Sequence, residues 1–202
     1  MRTSHGSDGL TECSPNTWGD DLKGIIFNLL EQVVSDEYGP TAWDNILDTT
    51  GLDGAYTAVG SYEDSEFLAL VGAVSEVVGK PQDDVVRWYG RACLPLLAER
   101  YSGFFAPHSS TRSFLLTLND VIHPEVRKLF PGAYAPSFEF DDTAENELTM
   151  SYRSHRNLCS FAEGLIEGAA AHFGEEVSIE QPRCSKRGDE SCVLVTSFRS
   201  KR

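Results

Sequence analysis

The sequence lacks any apolar run near the roughly 18 residues that a transmembrane helix needs, and its N-terminus has neither a basic segment nor an apolar signal core. Positive charge is also scarce, because 17 Lys and Arg stand against 31 Asp and Glu, for a formal net charge of -14 at pH 7. Nucleic acids and anionic membranes attract basic proteins, so neither is expected as a partner. The expected location is the cytoplasm.

Cysteine is too sparse for a disulfide scaffold. The five residues Cys13, Cys93, Cys159, Cys184 and Cys192 are spread over 202 positions, so free thiols or a metal site are better interpretations than structural bridges. The chain also lacks paired carboxylates, a nucleophile with a base, and a loop that would cradle phosphate. It is therefore not expected to be an enzyme.

Helical periodicity dominates the first two thirds of the chain. Residues 1–21 are polar and aperiodic, which predicts a flexible extension before one domain at 22–202. Helices are then expected at about 22–38, 41–47, 67–78, 83–101 and 109–130, with 51–62 as a connection. Pro95 is expected to kink the fourth helix, and Pro124 to place the preceding His123 at an irregular point.

After Pro136 the pattern changes from helical to alternating. Phe138 and Phe140 in one stretch, and Leu148 and Met150 in the next, predict a hairpin. One more helix is expected at about 158–173, followed by strands at 176–180 and 192–198. The sequence therefore predicts an α+β fold with a helical N-terminal lobe, and a C-terminal lobe of antiparallel hairpins and a helix.

Tyr152, Ser154 and Arg156 form a Y-x-S-x-R pattern at the end of an alternating stretch. If that stretch is a strand, its period of two places the three side chains on one face. Two hydroxyls and a guanidinium suit a ligand that carries carboxylates, and His123 is a candidate metal ligand. Haem has both features. The alternative is a solvated strand face and a His123 that belongs to the core.

Four stretches in this order resemble the H-NOX family, the haem nitric oxide/oxygen binding domains related to soluble guanylate cyclase. They are LKGIIFNLLE at 22–31, HPEVRKLFPGAYAPSF at 123–138, YRSHR at 152–156 and FAEGLIEGAA at 161–170. The resemblance covers the chain from residue 22 to about 198 and is to the stand-alone bacterial type. It implies that haem b lies in the cleft between the two lobes.

By this resemblance His123 is the proximal iron ligand, and Tyr152, Ser154 and Arg156 hold the haem propionates. Pro136 is expected to press against the macrocycle. The residues expected to line the haem pocket, most of them on the distal side, are Ile26, Leu30, Cys93, Pro136, Phe161 and Leu165. Only Cys93 among them is polar, and only weakly so.

The distal side indicates which gas is bound. Oxygen-binding members of the family have a Tyr donor at the position that Phe161 occupies, and bound dioxygen needs such a donor more than NO does. The resemblance therefore implies a ferrous sensor for NO, and as a further ligand CO, rather than an oxygen store. NO would break the bond between iron and His123, and the resulting shift would regulate a separate histidine kinase or diguanylate cyclase.

Cys159, Cys184 and Cys192 suggest a second interpretation. The loop between Cys184 and Cys192 contains a glycine, so these two thiols are expected near one turn, with Cys159 contributed by the preceding helix. Together they would bind zinc or act as a redox switch on the same fold. His155, His172 or Asp189 are candidates for a fourth ligand. The alternative is that the thiols are reduced and bind nothing.

Overall fold

The computed structural model describes residues 21–200. The expected N-terminal extension, and Cys13 within it, lie outside this range except for Asp21. That residue belongs to a short strand, so the folded domain includes one residue more than the predicted boundary at 22.

Helices and strands follow the predicted order, and the α+β class is confirmed. The helices are α1 (Gly24–Tyr38), α2 (Pro40–Thr50), α3 (Asp64–Val78), α4 (Gln82–Arg100), α5 (Ser102–Phe105), α6 (Thr111–Leu115), α7 (His123–Leu129) and α8 (Cys159–His172), with a π-helix at Leu118–Ile122 and a 3-10 turn at Ser185–Arg187. The strands are β1 (Asp21–Lys23), β2 (Ser61–Glu63), β3 (Ser137–Asp141), β4 (Glu147–Arg153), β5 (Glu175–Arg183) and β6 (Cys192–Ser200). Within residues 21–200, every helix is too short or too polar to cross a bilayer.

The long helix expected at 109–130 is divided into three parts. Pro124 lacks the N–H that would continue the helical ladder, and its ring crowds the carbonyl one turn earlier. The chain accommodates Pro124 by widening into the π-helix immediately before His123. Pro95, in contrast, lies within α4, which continues from Gln82 to Arg100.

The sequence did not predict the short elements β1, β2 and α5. β1 and β2 pair antiparallel, with Leu22 opposite Tyr62, so the expected connection at 51–62 ends in a strand. Strands of three residues carry too little alternation to be recognised in a sequence. The helix α5 has only one turn, which is likewise too short for helical periodicity to be recognised.

The four remaining strands form one antiparallel sheet in the order β3-β4-β6-β5. The two expected hairpins are thus joined, because β6 pairs with β4 as well as with β5. One face of the sheet packs on α8, where Leu148, Met150 and Leu194 are buried with Ile166. This is the second core of the molecule, and the first core lies among α1, α2, α3 and α4.

Helices α4 and α8 make the closest approach between the two halves of the chain. A Cβ atom on Gly164 would lie 2.0 Å from the Arg87 carbonyl oxygen, and one on Gly90 would lie 2.5 Å from the Phe161 carbonyl oxygen. Only glycine permits backbones to come this close. Arg87 also forms ion pairs with Glu163 at 2.9 Å and Glu167 at 2.5 Å across the same interface.

Gly164→Ala is therefore expected to lower the free energy of unfolding by about 2 kcal/mol or more, because the added methyl group must push α4 away. Gly72→Ala is the matched control, since the nearest atom to its Cβ would be a side-chain nitrogen of Gln82 at 3.5 Å. That change should be neutral or stabilising by about 0.5–1 kcal/mol. Urea unfolding of both variants measures the difference, and equal stabilities would contradict the close packing.

Candidate functional site

His123 lies where the π-helix meets α7. The sequence predicted an irregular backbone at this residue, and the structure has one there. Its backbone N–H donates to the carbonyl of Leu118, five residues earlier, and closes the widened turn. Pro124 then lies in the first turn of α7, where a proline is tolerated. The side chain of His123 is thus carried on a segment that is less regular than the helix following it.

The surroundings of His123 keep its imidazole neutral. Burial, and to a smaller extent the charge of Arg127, lower the pKa of His123 to about 4, against a weaker opposing effect from the Pro136 backbone. Its Nδ1 atom is buried and makes no hydrogen bond of good geometry among the described residues, although the Pro136 backbone is near. The ring lies 5.9 Å from that of Phe138, nearly parallel to it. A neutral, partly unsatisfied imidazole is suited to binding a metal.

The Y-x-S-x-R residues do not all lie on one strand face, which corrects the sequence prediction. Strand β4 ends at Arg153, opposite Ser137, because neither β3 nor β6 offers a partner beyond that point. Ser154 and Arg156 therefore lie in the following turn, which ends at Asn157 with a φ of 54°. Of the three residues, only Tyr152 lies on the strand, so strand alternation sets the direction of its side chain alone.

A local hydrogen bond links two of these residues in the turn after β4. The backbone N–H of Arg156 donates to the Ser154 hydroxyl at 3.2 Å. Tyr152 is 4% exposed, and burial raises its pKa to about 12, although a side-chain hydrogen bond with Ser154 opposes the shift. The phenol thus stays protonated and able to donate at neutral pH.

Arg156 has a partner that the sequence did not reveal. Its Nε lies 2.9 and 2.7 Å from the two carboxylate oxygens of Asp64, in the first turn of α3, and its guanidinium lies over the Tyr134 ring at 5.0 Å. The Arg156 side chain is only 5% exposed. Asp64 is far away in sequence, so no local pattern could have identified it.

The other predicted pocket residues lie on the opposite side of the junction between the cores. Leu30 and Cys93 are buried in the first core, and Ile26, Phe161 and Leu165 are partly buried against it. Phe138, which contacts His123, belongs to the second core, and Leu165 packs against both. The structure thus places the predicted distal residues at the first core and the partner of His123 in the second.

Tyr89 lies among the distal residues and was missed. It is fully buried and stacks on Phe161 with ring centroids 5.1 Å apart. Its hydroxyl donates to the Ile26 carbonyl at 2.7 Å, and the Cys93 thiol donates to the Gly90 carbonyl at 3.4 Å. Both polar hydrogens are committed to the backbone, so this side of the site offers apolar surface. Tyr89 fits the helical apolar pattern of α4, so the sequence indicates only a core residue at this position.

Cys159, Cys184 and Cys192 do converge, with their three Sγ atoms within 4.8 Å of one another. Cys184 lies 3.7 Å from Cys159 and 3.8 Å from Cys192, too far for a disulfide bond. Burial raises the pKa of Cys159 to about 12. Burial acts on Cys192 in the same direction, but hydrogen bonds from Ser185 and its neighbouring thiols outweigh it and lower its pKa.

None of the three candidate fourth ligands joins this thiol cluster among residues 21–200. Asp189 accepts the Cys184 N–H at 2.7 Å, His155 packs on Tyr134 at 4.3 Å, and His172 lies against Phe105 at 5.1 Å. The cluster therefore offers three protein ligands.

Comparison with known proteins identifies the family of this fold. A family model described as haem-NO-binding matches residues 23–181. The chain belongs to the haem-NO-binding, or H-NOX, family. The resemblance seen in the sequence is thereby confirmed, and with it membership of a family of haem-binding gas sensors.

Solved H-NOX structures share this fold over most of the chain. A mutant H-NOX protein of S. oneidensis in the Fe(II) state is 32% identical, with a TM-score of 0.85 and coverage of 90% of this chain and 98% of its own. The unliganded Fe(II) H-NOX protein of K. algicida is 28% identical, with a TM-score of 0.80 and coverage of 89% and 98%.

A curated relative is the soluble guanylate cyclase gcy-31 of Caenorhabditis elegans. It is 24% identical over 163 residues, which is 79% of this chain. The chain spans only 23% of that protein's length.

Proposed function

We propose that this chain is a ferrous haem sensor for NO that also accepts CO and excludes oxygen. The observation that carries the proposal is the distal side, where the hydroxyl of Tyr89 and the thiol of Cys93 donate to backbone carbonyls and Phe161 has no donor. Relatives from S. oneidensis have been solved in Fe(II)NO and Fe(II)CO states. The chain is proposed to act in the cytoplasm as a sensor and not as an enzyme.

Haem supplies the ferrous iron that binds the gas, and the described residues fit it. His123 would hold the iron, because its imidazole is neutral at pH 7. Tyr152 and Ser154 would donate to the propionates with the guanidinium of Arg156. Asp64 would hold that guanidinium in place, because its carboxylate binds Nε and so fixes the orientation of the whole group.

The apolar distal surface favours NO over oxygen. A hydrogen-bond donor beside the iron would stabilise dioxygen, which takes up electron density on binding, more than it would stabilise NO. Phe161 and Leu165 provide packing but no such donor. Oxygen storage is therefore not proposed.

Release of His123 would be the signalling step. The residue is carried on the π-helix and α7, so release of His123 by a gas ligand would let this segment shift relative to the first core. We propose that a separate signalling protein, such as a histidine kinase or a diguanylate cyclase, reads this shift. The acidic chain would favour a basic surface on that partner.

The role of His123 is tested by its absorption spectrum after haem reconstitution and reduction. The unchanged chain should bind haem stoichiometrically and give the spectrum of a five-coordinate NO complex. His123→Gly should lose the unliganded ferrous spectrum, and added imidazole should restore it by replacing the missing ring. His172→Ala is the control, because His172 is exposed at the end of α8. A haem spectrum that is unaltered in His123→Gly would contradict this assignment.

The role of Phe161 is tested by adding the missing donor. Phe161→Tyr should give a stable, reversible spectral change in air that the unchanged chain lacks, because the phenol can donate to bound oxygen. Phe161→Leu removes the ring without adding a donor and should behave like the unchanged chain. Tyr89→Phe should also leave the gas selectivity unaltered, since that hydroxyl is engaged by Ile26. Reversible oxygen binding by the unchanged chain would refute the selectivity argument.

A second candidate function rests on the thiol cluster. In a tetrahedral zinc site with Zn–S distances of about 2.3 Å, neighbouring sulfur atoms lie about 3.8 Å apart. The observed separations of 3.7 and 3.8 Å from Cys184 match this value. We propose that the cluster binds zinc through three thiolates, with water as the fourth ligand, and responds to oxidants as a redox switch.

Protein purified under reducing conditions without chelators should therefore contain about one zinc ion per chain, as expected for one three-thiolate site. Cys184→Ser should abolish the metal, because only two thiolates would remain to bind it. Cys93→Ser is the matched control, since Cys93 is buried in the first core away from the cluster. Elemental analysis of the three proteins gives the metal content. A metal-free wild-type chain that also fails to take up added zinc would exclude the site.

A further inference from the structure

Asn119 lies in the middle of the π-helix, and its side chain reaches a strand. The Nδ2 atom donates to the Phe138 carbonyl at 2.6 Å, and the Phe138 backbone N–H donates to Oδ1 at 3.2 Å. One amide group thus satisfies both backbone groups of a single residue, as a neighbouring strand would. This contact joins the segment that carries His123 to the β-sheet.

The position of Phe138 in the sheet explains why an amide side chain is needed there. Strand β3 is an edge strand, and Phe138 faces Tyr152 of β4. In an antiparallel pair, alternate residues direct both backbone groups toward the neighbour or away from it. The groups of Phe138 that bond to Asn119 therefore point outward, and Asn119 takes the place of a missing strand.

Phe138 is also in contact with the metal-binding candidate itself. Its ring lies 5.9 Å from the His123 imidazole at an angle of 29°. The start of β3 is therefore attached to the π-helix through Asn119 and to His123 through an aromatic contact. Asp120 and Val121 on the same turn are exposed.

We propose that Asn119 is a positioning residue that fastens the His123 segment to β3. The tether restrains a segment that the break at Pro124 would otherwise leave loosely held, and it fixes the direction in which His123 approaches its metal. It also makes the β3–β4 hairpin follow when His123 is released. This inference rests on the proposed haem function and extends it by naming the route to the sheet.

The test compares Asn119→Leu with the unchanged haem-loaded protein. Leucine keeps the approximate size of the side chain and removes both hydrogen bonds. The iron–histidine stretching frequency of the unliganded ferrous state, measured by resonance Raman, should shift. Hydrogen exchange at the Phe138 amide should become about tenfold faster, the effect of losing one hydrogen bond.

Exchange in the NO-bound state tests transmission. NO should change hydrogen exchange in both the π-helix and β3 of the unchanged protein. In Asn119→Leu the change in β3 should fall by at least about half, because the contact that couples the two segments is removed. Asp120→Ala is the matched control, because Asp120 is an exposed neighbour on the same turn. Asn119→Asp keeps an acceptor for the Phe138 N–H but faces its carbonyl with a carboxylate, so it should give intermediate protection and impaired transmission.

A role limited to stability would lower the melting temperature of Asn119→Leu while the Raman frequency and the NO response of β3 stayed unaltered, and that result would overturn the proposal. If the unchanged protein bound no haem, the proposed function would fail, and the role of Asn119 toward His123 would fail with it. Normal haem and NO spectra together with an Asn119→Leu variant that transmits fully would reject the tether alone.

Discussion

The contact between α4 and α8 is the constraint on which the rest of the structure depends. Gly90 and Gly164 let the two backbones meet without intervening side chains, and this determines where the residues on either helix are placed. Phe161 is thereby stacked on Tyr89, and Cys159, at the start of α8, is placed beside the sheet and the loop that carries Cys184. The distal surface and the thiol cluster are both consequences of one helix pairing.

Much of the fold could be predicted because its signals are local. The apolar spacing of α1 and α3 and the alternation in β4 each continue over enough residues to be recognised. The missing N–H of Pro124 predicted the irregular backbone at His123. The convergence of Cys159 with Cys184 and Cys192 followed from a short loop and a neighbouring helix.

Other features depend on contacts that no local pattern records. The pairing of Arg156 with Asp64 joins residues 92 positions apart, and the strand containing Tyr152 ends where its neighbours end, not where its alternation ends. The Tyr89 hydroxyl is committed to Ile26 only because α1 and α4 pack together. Tertiary partners therefore decide which polar groups of the candidate site are available, while the sequence indicates only which groups exist.

The contacts of α6 and the π-helix also have a consequence for association between molecules. Exposed sheet edges are templates on which other chains can add strands and aggregate. Arg112 donates to the carbonyls of Ala144 and Glu145 in the β3–β4 turn, and Asn119 covers the outer edge at Phe138. The opposite edge, β5, instead presents acidic side chains and a proline. The two margins of the sheet thus resist fibril-like growth by different means, one by occupation and the other by charge.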